Sequence, residues 1–344
     1  MTRQKFLTTL CLLGTLNLFS QSIKGVYQEA IDKIVEQYAD DNRPGMAVGI
    51  VKDGQIVYEN YAGYANLEHQ IKFDEKTRSN IASTAKQFTA LMILDLSMKG
   101  KLDLEDDIRK YLPALYPKIK EEIKIRHLLN HTSGIRDYVF ILEMMNKPHW
   151  RQVAMDNDDT IDLLEQQEEL MCTPGSKYIY SNSGYTILAK IIEKVSGERF
   201  NDYSDRFFAE LGMKETKFVR RYMGVIPNRA DSYSDWGGGL WLSTPAVTKA
   251  NGDGFLYTTL KDQLIYEQAV QNAVKNNNEL LIKSQQAIPN SEITDYGFGL
   301  ELDGRLDRVA QYHSGSTFGY NSHTNRFPEE NLSVFVMSNN GKIW

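Results

Sequence analysis

The apolar positions change rhythm three times along the chain. Near the start, Tyr27, Ile31, Ile34 and Tyr38 recur at three- and four-residue intervals, the spacing of one helix face, which predicts an amphipathic helix over 26–40. Pro44-Gly45 interrupts it. Two β-rich runs follow, Met46 to Lys52 and Gln55 to Tyr61, and the Asp53-Gly54 pair between them is a strong hairpin signal. From residue 82 to about 220 the period is helical. Thr84 to Lys99, Ile161 to Leu170 and Tyr185 to Val195 read as helices, the first and third with a lysine near the end and Gly100 or Gly197 beyond it. Pro113, Pro148 and Pro174-Gly175 mark the loops between them. From about 296 short alternating runs return: Tyr296 to Leu302, Arg308 to His313, Asn321 to Phe327 and Leu332 to Met337.

Strands at both ends around a helical middle predict an α/β fold in which one antiparallel sheet is assembled from both ends of the chain. The α/β part covers about 26–81 and 225–344, and a mainly helical part about 82–224 is inserted. The active site is expected in the cleft between the two.

Residues 1–22 fall outside that scheme. Arg3 and Lys5 precede an uncharged, mostly apolar run from Phe6 to Phe19, and Ser20 and Ser22 offer small residues for cleavage, so an export signal is expected. The run is shorter than the ~20 apolar residues that span a bilayer, so no stable membrane anchor is expected. The mature chain is expected to begin near residue 22 and to work in the periplasm or outside the cell. Of the two cysteines, Cys11 leaves with this segment, and Cys172 alone allows no intrachain disulfide. The 344 residues therefore need a packed core, which 42% apolar content supplies. A net charge of -6 with no basic tract argues against nucleic acid as a partner.

Three short segments carry candidate chemistry. In Ser83-Thr84-Ala85-Lys86, residues three apart at a helix start share a face, so a lysine amine meets a serine hydroxyl that needs a base. Tyr180-Ser181-Asn182 offers a phenol for proton transfer and an amide to orient a carbonyl. His313-Ser314-Gly315-Ser316 lies at a strand end, where glycine admits close backbone approach. There the Ser316 N–H, together with that of Ser83, makes an oxyanion hole. Taken singly, each has a plain structural reading: a helix cap and solvated lysine, a core tyrosine and capping asparagine, a half-buried histidine.

Their order and spacing resemble the penicillin-recognising serine hydrolases: class C β-lactamases, DD-peptidases of that branch, D-amino-acid peptidases and related esterases. Ile125 to Gly134 is similar to that family's IRHLLxHTSG stretch, Gly100 to Pro113 to its GKLxLDD…YLP, Pro174 to Tyr185 to its PGxxxxYSNxGY, and Leu211-Gly212-Met213 to its LGM. The resemblance runs from about residue 26 to the end. It implies a β-lactamase/transpeptidase-like fold and an acyl-enzyme on Ser83. Lys86 accepts or tunes the serine proton, Tyr180 acts as acid and base, and Asn182 positions the acyl side chain. His313 and Ser314 face the far end of the substrate, and Gly315 and Ser316 form the oxyanion strand. Whether lysine or tyrosine takes the proton is left open. His131 and Thr132 are read as structural. The substrates implied are D-amino-acid peptides, a peptidoglycan stem peptide, β-lactams, or small esters and amides. No cofactor is implied, since the remaining histidines show no metal-ligand spacing. The competing expectation is a non-catalytic penicillin-binding or sensor module on the same fold.

Three departures matter. The third motif reads His-Ser-Gly where β-lactamases carry Lys-Thr-Gly, so carboxylate recognition is expected to be weak or pH-dependent and β-lactam turnover poor. The family's GGLxST loop appears here as Gly252-Asp253-Gly254-Phe255-Leu256-Tyr257-Thr258-Thr259, with Phe255 and Thr258 departing, and the preceding 233–251 reads as a mobile loop or an aromatic substrate wall, a loop lining the cleft being expected. Relatives usually close with a helix after the last strand, and the residues leave open whether one follows here.

Overall fold

The computed structural model describes residues 28–37, 42–147, 154–221, 224–245, 249–291, 293–305 and 307–341. The expected export segment, with Tyr27 and Tyr38, lies outside them.

The first described element is a helix over 28–37, α1. Ile31 and Val35, one turn apart, pack against Met46, Val48 and Tyr58 of the sheet. Ile34, placed on the buried face by the sequence pattern, is instead 55% exposed. Strands β1 (Met46–Lys52) and β2 (Gln55–Ala62) form the expected hairpin. Asp53 and Gly54 both have positive φ, which a two-residue turn between right-twisted strands requires.

The helical middle is organised around α2 (Lys86–Met98), preceded by a tight 3-10 turn over Ala82–Ala85. Every residue of α2 from Lys86 to Leu96 is buried. Phe88 packs edge-on to Phe208 and tilted against Tyr266, at centroid distances of 5.4 and 4.8 Å. Helix α3 (Asn182–Ser196) lies against α2 and ends at Gly197 in the left-handed conformation. The helix expected over Ile161–Leu170 runs instead over Asn157–Glu165. The Asp156 carboxylate accepts the N–H groups of Asp158 and Asp159 and starts it a turn early, leaving Leu170 in the following loop.

The chain returns through α4 (Leu260–Gln271) and three further strands, β3 (Gln311–Thr317), β4 (Tyr320–Phe327) and β5 (Leu332–Ser338). The sheet order is β3-β4-β5-β1-β2, antiparallel throughout, with Met46 opposite Ser338. The expected sheet drawn from both ends of the chain is therefore present. Period-two alternation gives it two apolar faces. Met46 and Val48 face α1, while Ala47 and Val51 join the main core. Gly49 lets α4 approach, since a Cβ there would collide with Leu264. A buried ion pair joins sheet to helices: Arg326 of β4 donates to both Glu267 oxygens (2.7 and 2.8 Å) and to Gln87 of α2 (2.7 Å).

One expected strand is absent. Tyr296 to Leu302 makes only isolated bridges, from Tyr296 to Glu301, from Gly297 to Ala287 and from Glu301 to Tyr312. The segment bends at Gly299, φ +76, where a Cβ would fall 2.5 Å from the Gln87 amide nitrogen. It wraps the start of α2, and a straight strand could not.

Candidate active site

Ser83 is held at the mouth of the cleft by a strained turn. Ala82 before it has φ +46, in the left-handed region that L-residues avoid, and its N–H is fixed by Asn80 Oδ1 at 2.8 Å. The side chain of Lys86 enters from the first residue of α2 and is completely buried. Its Nζ lies 3.2 Å from Ser83 Oγ, 2.8 Å from Asn182 Oδ1 and 2.6 Å from the Asp253 carbonyl oxygen. Burial pulls the lysine pKa down to about 8, against the upward pull of Asp253 and Asp137.

The orientation of the Asn182 amide follows from chemistry. Its N–H₂ donates to the Asp137 carboxylate at 2.9 Å, and a carboxylate only accepts. The amide oxygen must then face Lys86. Two carbonyl oxygens thus take two of the Lys86 N–H bonds and Ser83 Oγ takes the third; once that third proton is lost, the lone pair left behind faces the Ser83 hydroxyl.

Tyr180 stands over this group. Its ring centroid is 5.0 Å from Lys86 Nζ, and Ser83 lies close enough to act on its phenol. Burial raises its pKa and the Ser83 contact lowers it, with a net rise, so the phenol keeps its proton at neutral pH. His131, read as structural from sequence, stacks on Tyr180 at 4.3 Å, and its Nδ1 accepts the Ser181 N–H at 3.2 Å.

The third motif lies on the edge strand β3. Gly315 is required by contact: a Cβ there would overlap the Ile81 carbonyl oxygen and sit 3.0 Å from the Ser83 amide nitrogen. Tyr312 exchanges both its backbone hydrogen bonds with Glu301, outside the sheet, at 2.8 and 3.0 Å. By the alternation of an antiparallel ladder, the N–H groups of Ser314 and Ser316 point to that same outer edge. Ser83 and Ser316 both line the cleft.

His313 differs from expectation. It does not face the substrate: it is 3% exposed, its Nε2 pairs with Tyr296 Oη at 2.9 Å, and its Nδ1 with the Ser314 carbonyl at 2.6 Å. Burial, with Lys86 nearby, pulls its pKa down to about 3. The ring is therefore neutral throughout the working pH range, and acidification to pH 5 creates no cation. Ser314 is exposed on the strand and does not line the cavity.

The cleft is a cavity of about 830 Å³. The stretch expected to be a loop is a β-hairpin, Tyr233–Gly237 with Leu240–Ser243, and it does line the cleft, through Ser234, Trp236 and Leu242. Gly254 and Phe255 also line it. Among the described lining residues there is no Lys, Arg or His, and the single carboxylic acid is Asp253. Asp253 is buried, takes a hydrogen bond from Tyr138 Oη at 3.0 Å, and has its pKa raised by burial to about 6.

Sequence reasoning missed Asp137 and Asp253. Asp137 carried a signal, an acidic residue immediately before the helix Tyr138–Met144, but capping was the only role that signal suggested. Asp253 carried none beyond its place between two glycines.

Known proteins resemble the chain over most of its length. The profile of the family described as Beta-lactamase matches residues 31–342. Penicillin-binding protein 4* of Bacillus subtilis (strain 168) is 30% identical over 305 residues, covering 83% of this chain and 66% of that protein. The chain thus spans just under two thirds of that relative's length. Among solved structures, the octameric penicillin-binding protein homologue from Pyrococcus abyssi superposes with a TM-score of 0.77 at 27% identity, covering 92% of this chain and 73% of the other. The penicillin binding protein from Bacillus halodurans gives 0.73 at 26% identity, covering 86% and 91%.

Proposed function

The chain belongs to the Beta-lactamase family, whose members include penicillin-binding proteins, amidases and esterases, and from that premise we propose that it hydrolyses neutral esters and amides through an acyl-enzyme on Ser83. D-amino-acid derivatives fall within that class. The observation that carries the reading is the set of partners around Lys86 Nζ: two carbonyl acceptors and one hydroxyl.

In this reading the neutral Lys86 amine takes the proton as Ser83 Oγ attacks the substrate carbonyl. Negative charge on the tetrahedral oxygen is met by the N–H groups of Ser83 and Ser316. As the bond to the leaving group breaks, Tyr180 gives it the phenolic proton and is reprotonated from Lys86. Water then attacks the acyl-Ser83 ester and gives one proton to the neutral Lys86 amine; as the bond to Ser83 breaks, that proton returns to Ser83 Oγ and the acid is freed.

The preference for neutral substrates rests on the charge of the cleft. A penicillin or a D-alanyl-D-alanine terminus brings a carboxylate, and the described lining offers no cation to meet it. With His313 buried and neutral, β-lactam turnover is slow, and the antibiotic acts as a poor acylating agent. We place the working site outside the cytoplasm, on the strength of residues 1–22.

The test is intact-mass measurement after incubation with a fluorophosphonate, with Ser83→Ala alongside. One adduct confined to the wild type supports the reading. Equal labelling of both proteins, or none in either, returns the chain to a binding role.

A further inference from the structure

Phe255 and Phe318 are held in a conformation that suits neither. Phe255 has φ +59 and Phe318 φ +49. For bulky residues such angles are outliers that persist only where the surroundings enforce them, and they gather at functional sites. Each also occupies a position where the local backbone favours a small residue. Phe255 follows Gly252-Asp253-Gly254. Phe318 is the first of the two turn residues joining β3 to β4, ahead of Gly319 at φ +88, a place suited to Asn, Asp or Gly.

Core packing does not account for them. Phe255 is buried yet belongs to none of the clusters of buried hydrophobic side chains, and Phe318 is only half-buried. Their rings instead meet each other, with centroids 5.8 Å apart at 38°, and both line the cavity that contains Ser83. Two strained aromatic residues, from separate elements, converge at one place in the cleft.

Their side of the cleft is fixed by the direction of β3. His313 neighbours Tyr180, with rings 6.5 Å apart, so the end of the strand that carries His313 is the end where a leaving group receives its proton. Phe318 follows Thr317, the last residue of the strand, and so lies at the opposite end of β3 from His313, beyond Ser316. That is the acyl side.

We propose that Phe255 and Phe318 form a subsite for an aromatic ring on the acyl group of the substrate, so that the enzyme selects arylacyl esters and amides. The inference rests on the acyl-enzyme reading for its chemistry and on the cavity alone for its binding. Two measurements keep these apart. The first is the ratio of kcat/KM for p-nitrophenyl phenylacetate to that for p-nitrophenyl acetate. The second is the affinity of Ser83→Ala protein for phenylacetamide by calorimetry. Phe255→Gly and Phe318→Gly both suit the local backbone. Each is expected to lower the ester ratio and the phenylacetamide affinity by about tenfold, the scale of a lost ring contact and its burial. Weakened affinity without any Ser83-dependent hydrolysis keeps the subsite and removes the acyl-enzyme reading. Unchanged affinity in both glycine variants overturns the subsite, whatever the hydrolysis shows.

Discussion

The carboxylate of Asp137 takes two hydrogen bonds from Asn182, one from its backbone N–H at 2.6 Å and one from its side-chain amide at 2.9 Å. The same carboxylate caps the helix Tyr138–Met144 through the Val139 N–H at 2.7 Å. It is a positioning residue, acting on Lys86 through Asn182. Asp137→Ser keeps a capping hydroxyl and removes the second acceptor. Losing a charge-assisted hydrogen bond of roughly 1.5–3 kcal/mol should lower kcat by about ten- to a hundredfold. KM should move little, and the melting temperature should move by no more than a weakened cap implies, about 1 kcal/mol. A variant with wild-type kcat would show that the amide needs no such support.

The pH dependence of kcat/KM should report Lys86. The amine acts as base only when neutral, so activity should rise through a midpoint near 8. Asp253 and Asp137 raise that pKa, and Tyr138 is the remaining titratable group against the Asp253 carboxylate. Asp253→Asn removes one supporting negative charge, so its midpoint should move to lower pH. Profiles from pH 5.5 to 10 decide this, and an upward or absent shift would remove Asp253 from the account.

Gly315→Ala should disable the site locally. The added methyl would overlap the Ile81 carbonyl oxygen and crowd the Ser83 amide. Overpacking of this kind costs about 1–3 kcal/mol and here would push the nucleophile's turn away from β3. Fluorophosphonate labelling should slow far more than the urea midpoint falls. Labelling at the wild-type rate would mean that the strand approaches less closely than described.

Arg326 and Glu267 are 3% and 1% exposed, so neither charge has water to fall back on. Removing one partner of such a pair costs about 3–5 kcal/mol. Glu267→Leu alone should therefore unfold at much lower urea than the double variant Glu267→Leu/Arg326→Met. Equal losses in the two would deny the pairing.

Acid should weaken the fold through histidine. His313 carries a pKa of about 3 in the folded chain against an ordinary value near 6.5, and burial holds His127 at about 4. The unfolded chain binds those protons first. This stability is therefore complete above pH 6.5 and is lost as pH falls from there towards 3. Asp253, raised to about 6, runs the opposite way between 3.8 and 6. His313→Asn should show a smaller drop in urea midpoint between pH 7.5 and 5 than the wild type, and an equal drop would assign the effect elsewhere.

Periodicity and local spacing were legible in the sequence, and partnership was not. Ser83 and Lys86 could be paired because three residues of helix bring any two side chains together. The hairpin at Asp53-Gly54 was visible because two positive φ values demand those residues. The neutrality of His313 depends on Tyr296, which reaches it only because Gly299 bends a segment that alternates like a strand. Asp253 reads as a solvated loop acid until the fold removes its water. Residues 233–251 read as a loop because their three glycines hide a hairpin whose outer side chains, Trp236 among them at 71% exposure, have no core to declare them.

The order of the strands in the sheet also sets a timetable. β5, the last strand to be made, is the central one, and it alone joins β1 and β2 to β3 and β4. β1 comes early in the sequence, and one of its hydrogen-bonding edges stays unclaimed until Leu332–Ser338, nearly three hundred residues later, covers it. Until then β3 and β4 lack the rest of the sheet that braces them against Ser83. The sheet therefore closes in one late step, and a chain without β5 leaves the facing edges of β1 and β4 open to pair with a neighbour.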